Sequence, residues 1–397
     1  MKILYHSPHP HLRIEDQTGY GTHMREMIAA FESLGHEVHF LIAGHQVVET
    51  KPKRESQTRK SRVKRVLKAL IPKLIWESLK DLQLIRTDRA NAHRLNQLVD
   101  EFNPDVIYER SHYGMVGGIV VANNRGIHHI LEVNSPNVEE RIKLSGKSLL
   151  TRKAAQKDQW AFAHTDHVLT VSTHLAELLK ITNLAKKWSV TPNAIRLGQQ
   201  KESTINASRK SLQIDKSAIL LGFVGSIFPW HGVDLIIHTV ADLQQKGRHV
   251  QAMIVGDGAI LDELKSLTKE LKLENTIHFV GSVPQQDTFS YTQLCDILIM
   301  PKSNKYGSPV KIFEYGLARK PCIVPNTFPV VEVFEHEQDG WVVDQSLDAI
   351  SSAIESIIDA PDKAEKCAKN WHQKVTSKHT WTTNASIALD KSAQPTV

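Results

Sequence analysis

Short apolar runs alternate with longer segments of helical periodicity along nearly the whole chain. A short apolar run bounded by turn residues is typical of a buried strand, whereas apolar residues that recur every three or four positions indicate a helix. Strands separated by helix-length segments favour parallel sheets of the doubly wound type. The predicted strands are Ile3–Tyr5, Glu37–Ile42, Val106–Tyr108, His129–Val133, Val168–Val171 and Trp188–Thr191, then Ile219–Val224, Gln251–Val255, Thr276–Val280, Ile297–Met300, Cys322–Val324 and Trp341–Val343.

The strands fall into two series, which divide the chain into two halves. The first series ends at Pro192–Gln200, where a strand gives way to Pro-Asn and polar sequence. Because 397 residues exceed one ordinary domain, we predict an α/β fold of two Rossmann-like domains, an N-terminal one over 1–195 and a C-terminal one over 196–376. Helices at about 377–397 are expected to pack back on the first domain. Ligands of such sheets bind beyond the carboxyl ends of the strands, so a cleft between the domains is the expected site.

Positive charge is concentrated in one segment. The net charge is +6, yet residues 51–68 alone carry nine basic side chains and one acidic side chain, so the remainder is slightly acidic. An apolar rhythm of helical spacing continues to Leu82, interrupted at Pro72. The segment 51–82 therefore fits either docking on an anionic membrane surface or a solvated loop whose helix packs on its own domain. No nucleic-acid-binding module accompanies the basic residues, so we expect no nucleic-acid partner.

The composition limits the class of protein. With 41% hydrophobic and 23% charged residues, the chain can bury a large core. No apolar run reaches the roughly 18 residues that span a bilayer, and the chain start lacks the apolar stretch of a signal peptide. The three cysteines are isolated and lack metal-type spacing. We therefore expect a cytoplasmic protein without a structural metal or a cofactor.

The most informative motif is Ser308–Glu314, which follows a predicted strand after a loop. Ser308 suits the N-cap of a helix, and the proline after it suits the first helical position. The free amides of Val310 and Lys311, with the positive end of the helix dipole, would form an anion site. Lys311 adds a full charge, and Glu314 lies about one turn further, where it can accept hydrogen bonds from ribose hydroxyls. A capped helix with a surface Lys–Glu pair is the alternative.

Glycine-rich turns follow three predicted strands of the second half. Gly225 would let the backbone approach a phosphate closely, with Ser226 and His231 as hydrogen-bond donors. Similar turns occur in IVGDG and FVGSVP. One such turn is weak evidence, but three at successive strand ends indicate a shared binding edge.

These segments resemble the nucleotide-sugar-binding domain of family-4 glycosyltransferases of the GT-B fold. The similar pieces, in order and approximate spacing, are FVGSIFPWHGVDLI, IVGDG, FVGSVP, DILIMP, GSPVKIFEYGLARKPCIV and VVEVFEHEQDGWVV. The first half is similar more loosely, through TGYGTHMREMIAAFESLGHEV, PDVIYERSHYG, LEVNSPNVEER and VSTHLAELL…PNAI. The resemblance implies two Rossmann-like domains facing each other across a cleft. It also implies retaining, metal-independent transfer of a hexose from a UDP- or GDP-sugar to a polysaccharide or lipid-linked acceptor.

The resemblance assigns roles in the second half. The start of the Ser308 helix, with Lys311, would stabilise the departing diphosphate, Glu314 would hold the ribose, and the backbone of Val283 would contact the base. The chain departs from the family at three positions. Ser226 and His231 stand where an Arg and a Lys are common, so the diphosphate clamp is weakened or rebuilt, and Tyr306 replaces a Glu that contacts the donor sugar.

The resemblance also singles out residues of the first half. His112, in ERSHYG, would lie beside the reacting sugar for acid/base assistance or to orient donor hydroxyls, and an ordinary loop histidine is the alternative. Arg110 would serve a phosphate or the acceptor. Gly19 and Gly21 stand where the family has a glycine loop under the donor and acceptor, with a plain turn as the alternative. A further set, for scaffolding or acceptor binding, is Glu132, Asn134, Glu140 and Arg141.

Three functions remain compatible with these residues. The favoured one is a glycosyltransferase that builds a polysaccharide or glycolipid at the inner membrane face. Ser226 and Tyr306 leave open a binding or regulatory protein that kept the fold and lost turnover. A nucleotide-sugar epimerase would need acid/base carboxylates for which the sequence gives no clear set.

Overall fold

The computed structural model divides the chain into two compact units of similar size. One unit comprises Met1–Thr191 together with the residues from Ala385 onward, and the other comprises Pro192–Asn384. Each unit contains one six-stranded sheet. The structure describes residues 1–16, 18–44, 71–198 and 207–390.

The first unit is a parallel sheet with helices between its strands. The strands are β1 (Lys2–Ser7), β2 (Glu37–Ile42), β3 (Val106–Arg110), β4 (His128–Val133), β5 (His167–Thr170) and β6 (Trp188–Val190). The helices are α1 (Gly19–Ser33), α2 (Lys73–Phe102), α3 (Gly117–Arg125), α4 (Asn137–Ser145), α5 (Thr151–His164), α6 (Thr173–Leu178) and α7 (Ile181–Leu184). The sheet order is β2-β1-β3-β4-β5-β6. The direction of winding therefore reverses between β1 and β3, and such a reversal is where doubly wound sheets bind ligands.

The second unit repeats this architecture. Its strands are β7 (Ile219–Val224), β8 (Val250–Val255), β9 (Ile277–Gly281), β10 (Ile297–Ile299), β11 (Cys322–Pro325) and β12 (Trp341–Val343). Its helices are α8 (Val233–Gln245), α9 (Leu261–Glu270), α10 (Thr288–Leu294), α11 (Val310–Leu317), α12 (Phe328–Val331), α13 (Leu347–Asp359) and α14 (Pro361–Lys378), and α15 (Trp381–Leu389) leads back to the first unit. The order β12-β11-β10-β7-β8-β9 places the reversal between β7 and β10.

Both faces of the second sheet are covered by apolar side chains. Along β7, Leu221 and Phe223 belong to one core cluster, whereas Leu220 and Val224 belong to another. Successive strand residues point to opposite faces, so one strand contributes to both cores. This two-sided burial explains why the strands read as continuous apolar runs and not as alternating ones.

The predicted α/β fold is confirmed. Each predicted strand is present, with ends that move by one or two residues. No helix among the described residues has the length and apolarity that crossing a membrane requires.

Helix α2 shows what becomes of the predicted amphipathic segment. It begins directly after Pro72, and the basic residues 51–68 lie outside the described residues. Its large apolar side chains at Leu74, Ile75, Leu79 and Leu82 remain 43–49% exposed. One of the two alternatives was that this apolar stripe packs on its own domain. That prediction is wrong for these four residues.

Candidate functional site

The turn after β7 is shaped to hold a lysine against its backbone. Gly225 has φ +143°, a value that favours glycine, and its amide donates to the carbonyl of Val255 at 2.9 Å. A Cβ at Gly225 would overlap Cε of Lys311. Glycine is therefore required here for two reasons, the backbone conformation and the lysine stem lying across it.

Two hydrogen bonds fix the helix that carries this lysine. The amide of Val224, at the end of β7, donates to Oη of Tyr315 at 3.2 Å. On the other side of the helix, Nε1 of Trp371 donates to the carbonyl of Ile312 at 2.8 Å. The start of α11 is thereby held beside the β7 turn, as the sequence predicts for a shared binding edge.

His231 faces Lys311 across the turn as a neutral imidazole. Its Nδ1 lies 2.6 Å from the carbonyl of Ser226, which can only accept, so Nδ1 carries the proton and Nε2 is an acceptor. Nε2 lies 3.5 Å from Nζ of Lys311. Burial first, and then the neighbouring lysine, lower the pKa of His231 to about 4. His231 therefore does not replace a missing cation at neutral pH.

Lys311 is the cation that the sequence predicted for this turn. Burial lowers its pKa to about 8, and the charge of Glu314 partly opposes that effect. Its ammonium also lies 5.6 Å from the ring centroid of Phe223, which offers a weak cation–π contact. A buried cation in the first turn of a helix, where the helix dipole is positive, has the chemistry of an anion site.

The predicted N-cap at Ser308 is wrong. Helix α11 begins at Val310, Pro309 occupies the cap position, and no side chain caps the helix. The hydroxyl of Ser308 instead accepts from the amide of Asn193 at 3.0 Å, and the Asn193 side chain donates to the Ser308 carbonyl. Val310 and Lys311 nevertheless occupy the first turn, where amides have no intrahelical acceptor.

Other predicted positions lie in the loops after β9 and before α11. Val283 follows β9, and its partly buried side chain packs against the core. The loop before α11 is shaped by Oδ1 of Asn304, which accepts from the amides of Tyr306 and Gly307. The base contact of Val283 and the ribose contact of Glu314 stay predictions.

In the first unit, His112 lies just past β3, at the reversal of that sheet. Its ring stacks on His9, with centroids 3.8 Å apart. Burial, then His9 and Arg110, hold the pKa of His112 well below its usual value. Its Nδ1 is buried and has no hydrogen-bond partner among the described residues. A neutral imidazole can orient hydroxyl groups or accept a proton and is a poor acid, and the role of His112 stays a prediction.

A cavity of about 1310 Å³ opens beside this pair of histidines. Its polar lining includes His9, His11 and Arg13, and its apolar lining includes Trp76 and Leu84 from α2. The cavity lies entirely within the first unit. Its mixed lining can accommodate a ligand that has both hydroxyl groups and an apolar part.

Both arginines predicted in this unit form ion pairs with carboxylates. Arg110 donates to Oε1 of Glu132 at 2.7 Å, and Tyr108 donates to Oε2 at 2.6 Å. Arg141 donates to Glu77 at 2.7 Å and to Asp81 at 3.0 Å. These ion pairs are consistent with scaffolding, although Arg141 also lines the cavity, and Arg110 has a committed partner in place of a free phosphate-binding fork.

Comparisons with known proteins identify the family of the chain. The sequence profile described as "Glycosyl transferases group 1" matches residues 204–374, and that described as "Glycosyltransferase Family 4" matches residues 18–199. Together the two profiles cover most of the chain. The chain belongs to the group 1, family 4 glycosyltransferases.

Individual relatives of this glycosyltransferase are distant. A GDP-mannose-dependent alpha-(1-6)-phosphatidylinositol monomannoside mannosyltransferase of Mycobacterium tuberculosis is 23% identical over 171 residues, which are 41% of this chain and 44% of that protein. The match thus spans less than half of the relative. Sucrose-phosphate synthase from Thermosynechococcus elongatus has a TM-score of 0.72 at 14% identity, over 97% of this chain and 96% of that one. Anabaena HepE in complex with UDP has a TM-score of 0.70 at 15% identity, over 98% of both chains. These two structures support the GT-B fold.

Two glycines of the glycosyltransferase differ from their predicted setting. Gly19 and Gly21 lie inside the first turn of α1, which Thr18 caps, and not in a loop before the helix. A Cβ at Gly19 would meet no atom within 4 Å, whereas a Cβ at Gly21 would overlap the carbonyl of Asp16. Only Gly21 is therefore required by close packing.

The sequence interpretation missed Lys302. Its amide donates to the carbonyl of His231 at 3.1 Å, so it lies at the same turn as Lys311. The available signal was its position as the first cation after a strand of the binding edge.

Proposed function

We propose that this glycosyltransferase transfers a hexose, with retention and without a metal, from a UDP- or GDP-sugar to a lipid-linked or polysaccharide acceptor. The observation that carries the proposal is the turn after β7. There Lys311, in the first turn of α11, lies across Gly225 at the reversal of a doubly wound sheet. A fixed cation and backbone amides stabilise the charge that develops on a departing diphosphate.

The acceptor is proposed to bind in the cavity of the first unit. Neutral His9 and His112 can exchange hydrogen bonds with sugar hydroxyls, and α2 supplies the apolar wall. The exposed stripe of α2 and the basic segment 51–68 together suit the interface of an anionic membrane. A lipid-linked acceptor fits this arrangement, and the mycobacterial relative is named for an acceptor that carries phosphatidylinositol.

The test is binding of UDP, GDP and ADP and their hexose conjugates by calorimetry, followed by turnover. Binding of UDP or GDP, with slow release of free diphosphate from one sugar conjugate, is expected. Folded protein that binds none of them contradicts the proposal. Binding without release in the presence of any donor, with or without an acceptor extract, identifies instead a binding protein that has lost turnover. The anomeric coupling in the product's proton NMR spectrum decides retention.

The membrane part has its own measurement. Vesicles containing phosphatidylglycerol should co-sediment the protein, and Leu79→Glu should reduce the bound fraction, since it places a charge in the exposed stripe of α2. The matched control is Leu34→Glu, a leucine that is 40% exposed, against 49% for Leu79, and lies outside the stripe. If neutral and anionic vesicles co-sediment equal amounts of the protein, the proposed membrane binding is contradicted and the proposed transferase activity is not affected.

A further inference from the structure

The β7 turn of the second unit has too little positive charge for the ligand proposed to bind there. A nucleoside diphosphate carries more than one negative charge at neutral pH. Of the residues at the turn, Ser226 is uncharged, and His231 is neutral because burial and the neighbouring Lys311 lower its pKa. Lys311 alone supplies a cation from α11. A second cation must come from another element.

We propose that Lys302 is this second cation, binding the donor diphosphate from the loop after β10. The inference rests on the proposed function, because it names a further binding residue for the same donor. It gives the site two cations, Lys302 from the loop directly after β10 and Lys311 from helix α11, which follows that loop. Neither of them belongs to the β7 turn itself.

The backbone of Lys302 is tied to that turn. Strand β10 ends at Ile299, and Lys302 is the third residue beyond it. Its amide donates to the carbonyl of His231 at 3.1 Å. Since β7 and β10 are hydrogen-bonded neighbours in parallel register, their carboxyl ends open onto the same edge. That edge is the reversal of the sheet, where ligands of this architecture bind.

The side chain of Lys302 also lies against the segment that links β7 to α8. A Cβ at Gly232 would lie 2.6 Å from Cγ and 2.7 Å from Cδ of Lys302, so the lysine stem crosses this glycine in close contact. Gly232 has φ +66° and directly precedes α8. The lysine is therefore packed against the start of a thirteen-residue helix, whose first amides and dipole also favour an anion.

The charge of Lys302 is not neutralised by an ion pair within the described residues. At the opposite end of β10 the situation is different, because Arg209 donates to Asp296 at 2.7 Å. An unneutralised cation whose stem is fixed on a glycine turn needs little reorganisation to meet a phosphate.

The experiment compares Lys302→Met, Lys302→Arg and Lys305→Met by titration with UDP, GDP and the matching monophosphates. Lys305 lies in the same loop, is exposed, and controls for the loss of one charge. Lys302→Met should weaken diphosphate binding about tenfold to a hundredfold, since hydrogen bonds to charged groups are strong. The monophosphates should lose less, and Lys302→Arg should retain most of the affinity. Unchanged melting temperatures establish that the variants are folded.

The outcomes separate this inference from the proposed function. If the unaltered protein binds UDP or GDP and Lys302→Met binds equally well, Lys302 is not a diphosphate ligand and the proposed function stands. An equal loss in Lys305→Met overturns the inference too, because general charge then explains the effect. If the unaltered protein binds neither diphosphate, the proposed function and this inference are both contradicted. A flatter salt dependence in Lys302→Met alone supports the direct contact.

Discussion

The two units share an architecture but differ in how the positive charges of their candidate sites are paired. In the first unit Arg110 and Arg141 each meet a buried carboxylate at 2.7 Å. In the second unit Lys311 faces a neutral imidazole, and Lys302 has no ion pair within the described residues. A paired cation holds a fold together, whereas an unpaired one at a strand edge is available to a ligand. The pairing of a charge thus distinguishes scaffolding from binding better than the charge itself.

The largest effect is expected from breaking a pair in the first unit. Glu132→Gln leaves Arg110 buried without its counter-charge, and removing one partner of a buried pair costs about 3 kcal/mol or more. Burial acts to raise the pKa of Glu132, yet His23 and Arg110 hold it below its usual value. Urea unfolding measures the loss. The matched control is Asp100→Asn, which breaks the exposed Arg125–Asp100 pair and should be nearly neutral. Equal losses in both variants would contradict the comparison.

The second prediction concerns the unpaired charge of the second unit. Lys311→Met should weaken UDP and GDP binding about a hundredfold, because it removes a charge-assisted contact to the diphosphate. The melting temperature should stay equal or rise, because burial already disfavours this ammonium, as its lowered pKa indicates. Calorimetry and thermal unfolding on the same preparation give both quantities. A marked loss of stability would place Lys311 with the scaffolding charges of the first unit.

The same contrast explains what could be predicted from sequence. The strands were predictable because burial on both sheet faces forces apolar runs, of which Leu220–Val224 is an example. The association of Gly225 with Lys311 was also within reach, since both follow strands of one parallel sheet.

The partners of individual side chains were not predictable. The local sequence around Ser308 is compatible with a helix cap. It does not reveal that the hydroxyl instead accepts from the amide of Asn193, which is distant in sequence. From sequence alone, Arg110 is a candidate phosphate ligand. The structure shows that the pairing of β3 with β4 places Glu132 beside it. Lys302 belongs to no recognisable sequence motif. Its position beside the β7 turn is seen only in the structure, from the contact of its side chain with Gly232.

The smallest and most specific effect is a pH dependence. Burial lowers the pKa of Lys311 to about 8, while His231 has a pKa of about 4. Diphosphate binding requires the protonated lysine, so affinity should fall about tenfold from pH 7 to pH 9 as the free protein loses this proton. His231 stays neutral throughout, and the second phosphate ionisation, near pH 6, is already complete. Lys311→Arg should flatten the profile, because a guanidinium keeps its charge in this range. An unchanged affinity in the unaltered protein would mean that Lys311 does not contact the diphosphate, and the charge of the second unit's site would then rest on Lys302.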